Sequence, residues 1–265
     1  LWSNGIARIL DLEGPMCFDR DARPPLPPIA GAAAEQGELV LTAADGNRLA
    51  AYFARAADPT GAGIVILPDV RGLHAFYKEL AQRFAEAGVD AVAIDYFGRT
   101  AGIGSRDDGF DYPTHVRQTS LDGVTADTAA GVARLRSPQG GAVRAVFTVG
   151  FCFGGGHSWR QAASGHGLAA AIGFYGNPQL VLDALDRVEA PLLVLVAGDD
   201  RARPVSAFED FDRRLGAAAV PHDMHVYEGA PHSFFDRTFE RHADASADAW
   251  RRMLDFIARH TPARA

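Results

Sequence analysis

Ala145-Val146-Phe147-Thr148-Val149-Gly150-Phe151-Cys152-Phe153-Gly154-Gly155-Gly156 runs from a strand-like stretch, through a turn, toward a helix that spans roughly 155–164. Its centre has the pattern small–X–nucleophile–X–small, with a cysteine where a serine more often stands. The glycines are a steric requirement. A nucleophile raised on a strained strand-to-helix turn leaves no room for side chains two residues before and two residues after it. The helix that follows aims its N-terminal N–H groups and partial positive charge at the sulfur, which favours thiolate.

Outward from this motif the chain alternates. Short, mostly apolar runs at Ile64–Leu67, Ala91–Ile94, Ala145–Val149, Ala169–Phe174 and Leu192–Val196, with a last one at Asp223–Tyr227, read as strands, most of them covered on both faces. Between them lie amphipathic stretches at roughly 75–88, 120–136, 155–164, 178–187, 205–217 and 239–260. Leu80, Phe84 and Ala87 recur at helical spacing, as do Trp250, Leu254 and Ile257. Alternating strand and helix predict an α/β domain with a mostly parallel sheet and helices on both faces. Upstream, Glu38–Thr42 and Leu49–Phe53 flank Asp45-Gly46-Asn47, a tight-turn signal, and read as an antiparallel pair. Residues 1–36, with Pro24-Pro25-Leu26-Pro27-Pro28, read as an extended proline-rich arm, and 37–265 as the domain. The run 100–119 reads as one long polar connection of the kind that shapes a binding site.

Composition narrows the function. The 265 residues carry 26 Lys and Arg against 33 Asp and Glu, a net charge of −7, which argues against a nucleic-acid partner. No apolar run approaches the roughly 20 residues of a membrane span. The start, Leu1-Trp2-Ser3-Asn4, lacks the charged-then-apolar pattern of a secretory leader. Two cysteines are too few for a disulfide framework, so the expectation is a reducing, cytoplasmic setting, with Cys17 incidental. No His-X-X-X-His or Cys-X-X-Cys spacing occurs among the nine histidines and two cysteines, so no metal is expected. Gly154 to Gly156 follow a strand, yet Gly-X-Gly-X-X-Gly is absent, so no dinucleotide or other cofactor is expected either. The expected partner is a small molecule, and the expected state a monomer.

A thiolate needs a base, and the base an orienting acid. The strand at Leu192–Val196 exits into Gly198-Asp199-Asp200-Arg201-Ala202-Arg203-Pro204, and the last strand into Glu228-Gly229-Ala230-Pro231-His232-Ser233-Phe234. Both loops open at carboxyl ends of strands, where open parallel sheets bind ligands. The order nucleophile, acid, histidine is that of α/β-hydrolases. Together with Gly173-Phe174-Tyr175-Gly176, these motifs resemble the dienelactone hydrolase (carboxymethylenebutenolidase) family over about 37–260. The resemblance implies an α/β-hydrolase core and a small lactone or ester, carboxylate-bearing, opened through a cysteine thioester. It makes Cys152 the nucleophile, His232 the general base and then acid, and Asp200 the orienting acid. Asp199 competes with Asp200, and only one of two adjacent side chains can face the histidine; the spacing to Pro204 favours Asp200.

The oxyanion hole is expected from the N–H of Phe153 and one from Pro68-Asp69-Val70-Arg71-Gly72, for which Val70 is chosen. The resemblance also implies an acid that holds the resting thiol. Asp69 stands at that place, one methylene shorter than the family's Glu. It implies arginines that grip a substrate carboxylate: Arg99 after Asp95-Tyr96-Phe97-Gly98, and Arg237, displaced by one position. Read from the residues alone, Tyr96 is a substrate-side pocket wall and Arg71 a further candidate cation. Each residue also has a structural reading: an inert buried thiol, a loop histidine, a turn acid, a surface ion pair. At the level of the whole chain the competing reading is a catalytically silent scaffold that binds or senses a small molecule.

Overall fold

A computed structural model describes Phe18 and residues 21–28, 33–106 and 109–263. Eight strands form one sheet: β1 (Ala33–Thr42), β2 (Arg48–Ala56), β3 (Ala62–Leu67), β4 (Asp90–Ile94), β5 (Ala145–Phe151), β6 (Ala170–Phe174), β7 (Leu192–Asp199) and β8 (His222–Pro231). Their order is β1-β2-β4-β3-β5-β6-β7-β8. β1 pairs antiparallel with β2, and β2 with β4; every pairing from β4 to β8 is parallel. The helices are α1 (Ala75–Glu86), the short α2 (Gly98–Ala101), α3 (Tyr112–Gln118), α4 (Leu121–Arg136), α5 (Phe153–Gln161), α6 (Val205–Ala217) and α7 (Ala243–Arg259). This is the α/β-hydrolase fold, with most strands and helices where the apolar periodicity put them.

The sheet divides the core. Along β7, Leu193 and Leu195 join the larger cluster, while Leu192, Val194 and Val196 join a second one with Trp159, Phe208 and Phe211. That alternation is the two-residue period of a strand covered on both faces. α1 and α7 meet at Phe84 and Trp250, whose ring centroids lie 4.9 Å apart. The parallel order carries β3, β4, β5, β7 and β8 to one edge, where their carboxyl ends deliver Asp69, Asp95, Cys152, Asp200 and His232.

Four expectations change in detail. β1 begins at Ala33, inside the stretch read as an arm. α5 begins at Phe153 rather than near 155, because Gly155 and Gly156 are packing glycines: a Cβ would come within 2.5 Å of Phe174 O and 2.7 Å of Asn177 O. The helix expected over 178–187 is two 3₁₀ turns, Pro178–Leu180 and Leu182–Arg187, with Val181 and Ala184 buried at the three-residue repeat of that tighter helix. The connection 100–119 contains α3 and an internal anchor. Buried Arg106 pairs with Asp95 at 2.8 Å, and its guanidinium covers the Phe110 ring at 4.7 Å.

The described part of the arm is packed on the domain. Phe18 is buried and stacks on Phe76 with centroids 3.9 Å apart. Arg23 N donates to Asp236 Oδ1 at 2.9 Å, and Arg237 N returns a bond to Arg23 O. Cys17 lies outside the described residues. Phe18→Ala should lower the free energy of unfolding by about 3 kcal/mol in urea titration. A loss under about 1 kcal/mol would show that this contact contributes little to the fold.

Candidate active site

Cys152 sits between β5 and α5 with φ +54° and ψ −111°, and it is buried. A non-glycine residue there costs about 1–3 kcal/mol, so its surroundings must over-determine it. They do so by close approach of backbone. A Cβ on Gly150 would lie 1.9 Å from Gly154 O, and one on Gly154 would lie 2.1 Å from Leu67 O. Cys152 N donates to Phe174 O at 3.1 Å, which ties the turn to the neighbouring strand. Phe153 is the first residue of α5, so its N–H has no acceptor within the helix.

His232 follows β8 directly, and Ser233, at φ +61°, turns the chain back. His232 Nδ1 donates to Asp200 Oδ2 at 2.7 Å, with both side chains buried. Asp200 Oδ1 accepts from Ala202 N at 2.8 Å, while Asp199 is exposed, which decides the competition between the two. Burial raises Asp200, but its bond to His232 and the charges of His232 and Arg203 outweigh this and hold the carboxyl below its ordinary value. Burial opposes the charge on His232, yet the charge of Cys152, followed by the bond to Asp200, lifts it to about 9. Cys152 supports the protonated imidazole both by its charge and by a hydrogen bond. The three side chains expected together are brought together, as a thiol, an imidazole and a carboxylate able to hold a thiolate–imidazolium pair.

The other candidates divide. Asp69 is buried, and Tyr96 Oη donates to both Pro68 O and Asp69 O, so Tyr96 pins the β3 loop. The Asp69 carboxylate accepts from Arg71 N at 2.8 Å and lies near Arg71 Nη2 and His74 Nε2, at 3.4 and 3.7 Å. Burial pushes that carboxyl up, but the bond and charge of His74 and the charge of Arg71 bring it below its ordinary value. Val70, one residue on, is buried, and no bond from its N–H is formed among the described residues. Arg99 is committed elsewhere: Nε and Nη2 reach Asp127 at 3.0 and 2.8 Å, Nη1 reaches Asp45 at 2.6 Å, and Nε also meets Gly123 O. Asp127 is fully buried, so Arg99 acts as a strut between α2, α4 and the β1–β2 turn rather than as an open cation. Arg237 is exposed.

Three residues escaped the sequence reading. His74 flanks Asp69 and also borders a groove of about 500 Å³ lined by Leu39, Val40, Leu73 and Ile103. Tyr175, at φ +37°, places its ring 4.5 Å from the His232 imidazole. Arg203 is buried and reaches Tyr175 O. Tyr175 lies within a motif already noted and Arg203 beside Pro204, but only coordinates show that they meet.

The model of the dienelactone hydrolase family matches residues 49–261. The chain belongs to that family of ester and lactone hydrolases. It is 29% identical to the "Putative carboxymethylenebutenolidase" of Escherichia coli (strain K12), covering 81% of this chain and 84% of that one. It is 28% identical to the "Carboxymethylenebutenolidase" of Rhodococcus opacus over 92% of this chain and 97% of that one. Among solved structures, "Putative Dienelactone Hydrolase" from Klebsiella pneumoniae superposes with a TM-score of 0.74 at 27% identity, covering 84% and 98% of the two chains.

A raised imidazole stabilises the folded state fully below its unfolded value, near 6.5, and that contribution is lost as pH rises through about 9. His232 should therefore titrate near 9 by NMR in the wild type and lower than that in Asp200→Asn, where the carboxylate's bond and charge are gone while the support of Cys152 remains. A wild-type midpoint at 6.5 would contradict the ion pair.

Proposed function

We propose that this chain hydrolyses a small ester or lactone through a thioester on Cys152, with His232 as base toward the thiol, then acid toward the leaving oxygen and base again toward water, and Asp200 as the orienting carboxylate. The observation that carries this is the His232–Asp200 bond at 2.7 Å on an imidazole whose charge is stabilised by Cys152. The Cys152 thiolate attacks the carbonyl carbon, and the oxyanion that forms is met by the N–H groups of Phe153 and Val70, each worth about 3 kcal/mol toward the transition state. The bond that Arg71 N donates to the Asp69 carboxylate supports this assignment: it turns the loop so that Arg71 N is occupied and Val70 N is left to donate. Collapse breaks the carbonyl–oxygen bond, and the leaving oxygen takes its proton from His232. His232 then accepts a proton from water as the water attacks the thioester; the acid is released and the thiolate restored.

The contacts of Asp69 support a loop-shaping role in place of a resting-thiol switch. Those of Arg99 bear on the substrate. A carboxylate-bearing substrate would have to displace Asp45 or Asp127 from a guanidinium they already hold. We therefore read recognition as independent of Arg99, which favours uncharged esters and lactones.

Two measurements test this reading. Cys152→Ala should abolish turnover of an enol lactone or aryl ester while its circular dichroism and unfolding midpoint stay near wild type; near-normal turnover would remove Cys152 from the mechanism. Arg99→Ala should cost about 2–4 kcal/mol in stability, since it strands buried Asp127. It should leave the ratio of kcat/KM for carboxylated over neutral esters within about twofold, a change under 0.5 kcal/mol. A selective tenfold loss on carboxylated substrates would restore Arg99 as their clamp.

A further inference from the structure

Arg203 lies on the loop between β7 and α6 and is 8% exposed. It forms no ion pair with a carboxylate among the described residues. Its Nη1 donates to a neutral acceptor, Tyr175 O, at 3.1 Å. Burying a guanidinium against one carbonyl is a poor bargain for stability, and an apolar side chain of similar length would be tolerated at least as well. The cation is better explained by what it adjoins.

Tyr175 holds φ +37°, a region a bulky residue occupies only when fixed from outside. Two bonds fix it: Tyr175 N donates to Leu195 O at 2.8 Å, and its carbonyl receives Arg203. Its ring, fully buried, lies 4.5 Å from the His232 imidazole at an interplanar angle of 51°. The Arg203 charge also favours the ionised carboxyl of Asp200, three residues upstream, behind the larger contributions of His232 and the Ala202 N–H. Arg203 thus bonds one support of the imidazole, the aromatic shelf, while its charge acts through space on the other, the carboxylate.

Resting on the triad reading above, we propose that Arg203 is a positioning residue: it locks the Tyr175 shelf against His232 and lends its charge to the Asp200 side, so that the imidazole is held toward Cys152. The groups facing Asp200 are His232, Arg203 and the Ala202 N–H; those facing His232 are Asp200, Cys152 and Tyr175. Asp199 and Arg201 point to solvent.

The test compares wild type, Arg203→Met, Arg203→Gln and Arg203→Lys in two assays: hydrolysis of p-nitrophenyl acetate, and the pH dependence of Cys152 alkylation by iodoacetamide, which needs no turnover. Arg203→Met should lower kcat at least tenfold with KM within twofold, and move the acid limb of alkylation to higher pH by half a unit or more, because Asp200 protonates sooner. Arg203→Lys should return the limb and recover part of kcat. Arg203→Gln, which keeps a donor for Tyr175 O, replaces Arg203→Met should the latter not fold, and should show the same displaced limb. An unmoved acid limb in the neutral variants, whether or not kcat and melting temperature fall, would overturn the proposal and leave Arg203 a structural residue. Wild-type protein without esterase turnover would instead count against the triad reading, while the alkylation limbs still decide the role of Arg203.

Discussion

The backbone of Cys152 is the constraint from which the site follows. At φ +54° it raises a sulfur above the sheet and points α5 at it, and three contacts enforce that posture: Gly150 against Gly154 O, Gly154 against Leu67 O, and Cys152 N on Phe174 O. None of these involves the reacting groups. The strain is held by closely approaching backbone, so the Cys152 sulfur is presented by the fold.

Electrostatics then select the protonation state. The chain carries a net charge of −7, which alone would disfavour a thiolate, but local arrangement outweighs the distant field. The N-terminus of α5 and the His232 imidazolium favour the anionic sulfur. Asp200, buried and bonded, favours the imidazolium. Removal from solvent makes each link stronger than it would be on the surface, and equally makes each depend on its neighbour. The Arg99 cluster shows the same logic used for architecture: a buried carboxylate, Asp127, neutralised by a cation that also clamps the Asp45 turn.

Much of this was legible in the residues. Apolar runs of strand length placed the strands, and Gly150, Gly154 and Cys152 located the turn, because sterics there leave no alternative residue type. Asp200 and His232 followed from their places at strand ends. What escaped has a physical cause in each case. Arg99 looks like an open cation in sequence because its carboxylates, Asp45 and Asp127, come from distant elements. Asp69 looks like a partner for the thiol in sequence; its bond from Arg71 N and its approach to His74 come from loop geometry that the sequence does not display. Tyr175 and Arg203 meet only because β6 and β7 are adjacent. The helix expected at 178–187 became 3₁₀ because its apolar residues repeat at three, a distinction that short segments blur.

The account stands or falls on a covalent bond to sulfur. Mass spectrometry of the wild-type protein, acid-quenched within the first turnovers of an activated aryl ester, measures it directly. The account predicts an added acyl mass on the peptide containing Cys152, sensitive to hydroxylamine as a thioester is, appearing and decaying at rates compatible with kcat. Turnover at the same rate with no acyl adduct on that peptide, or with the adduct on another residue, would contradict it.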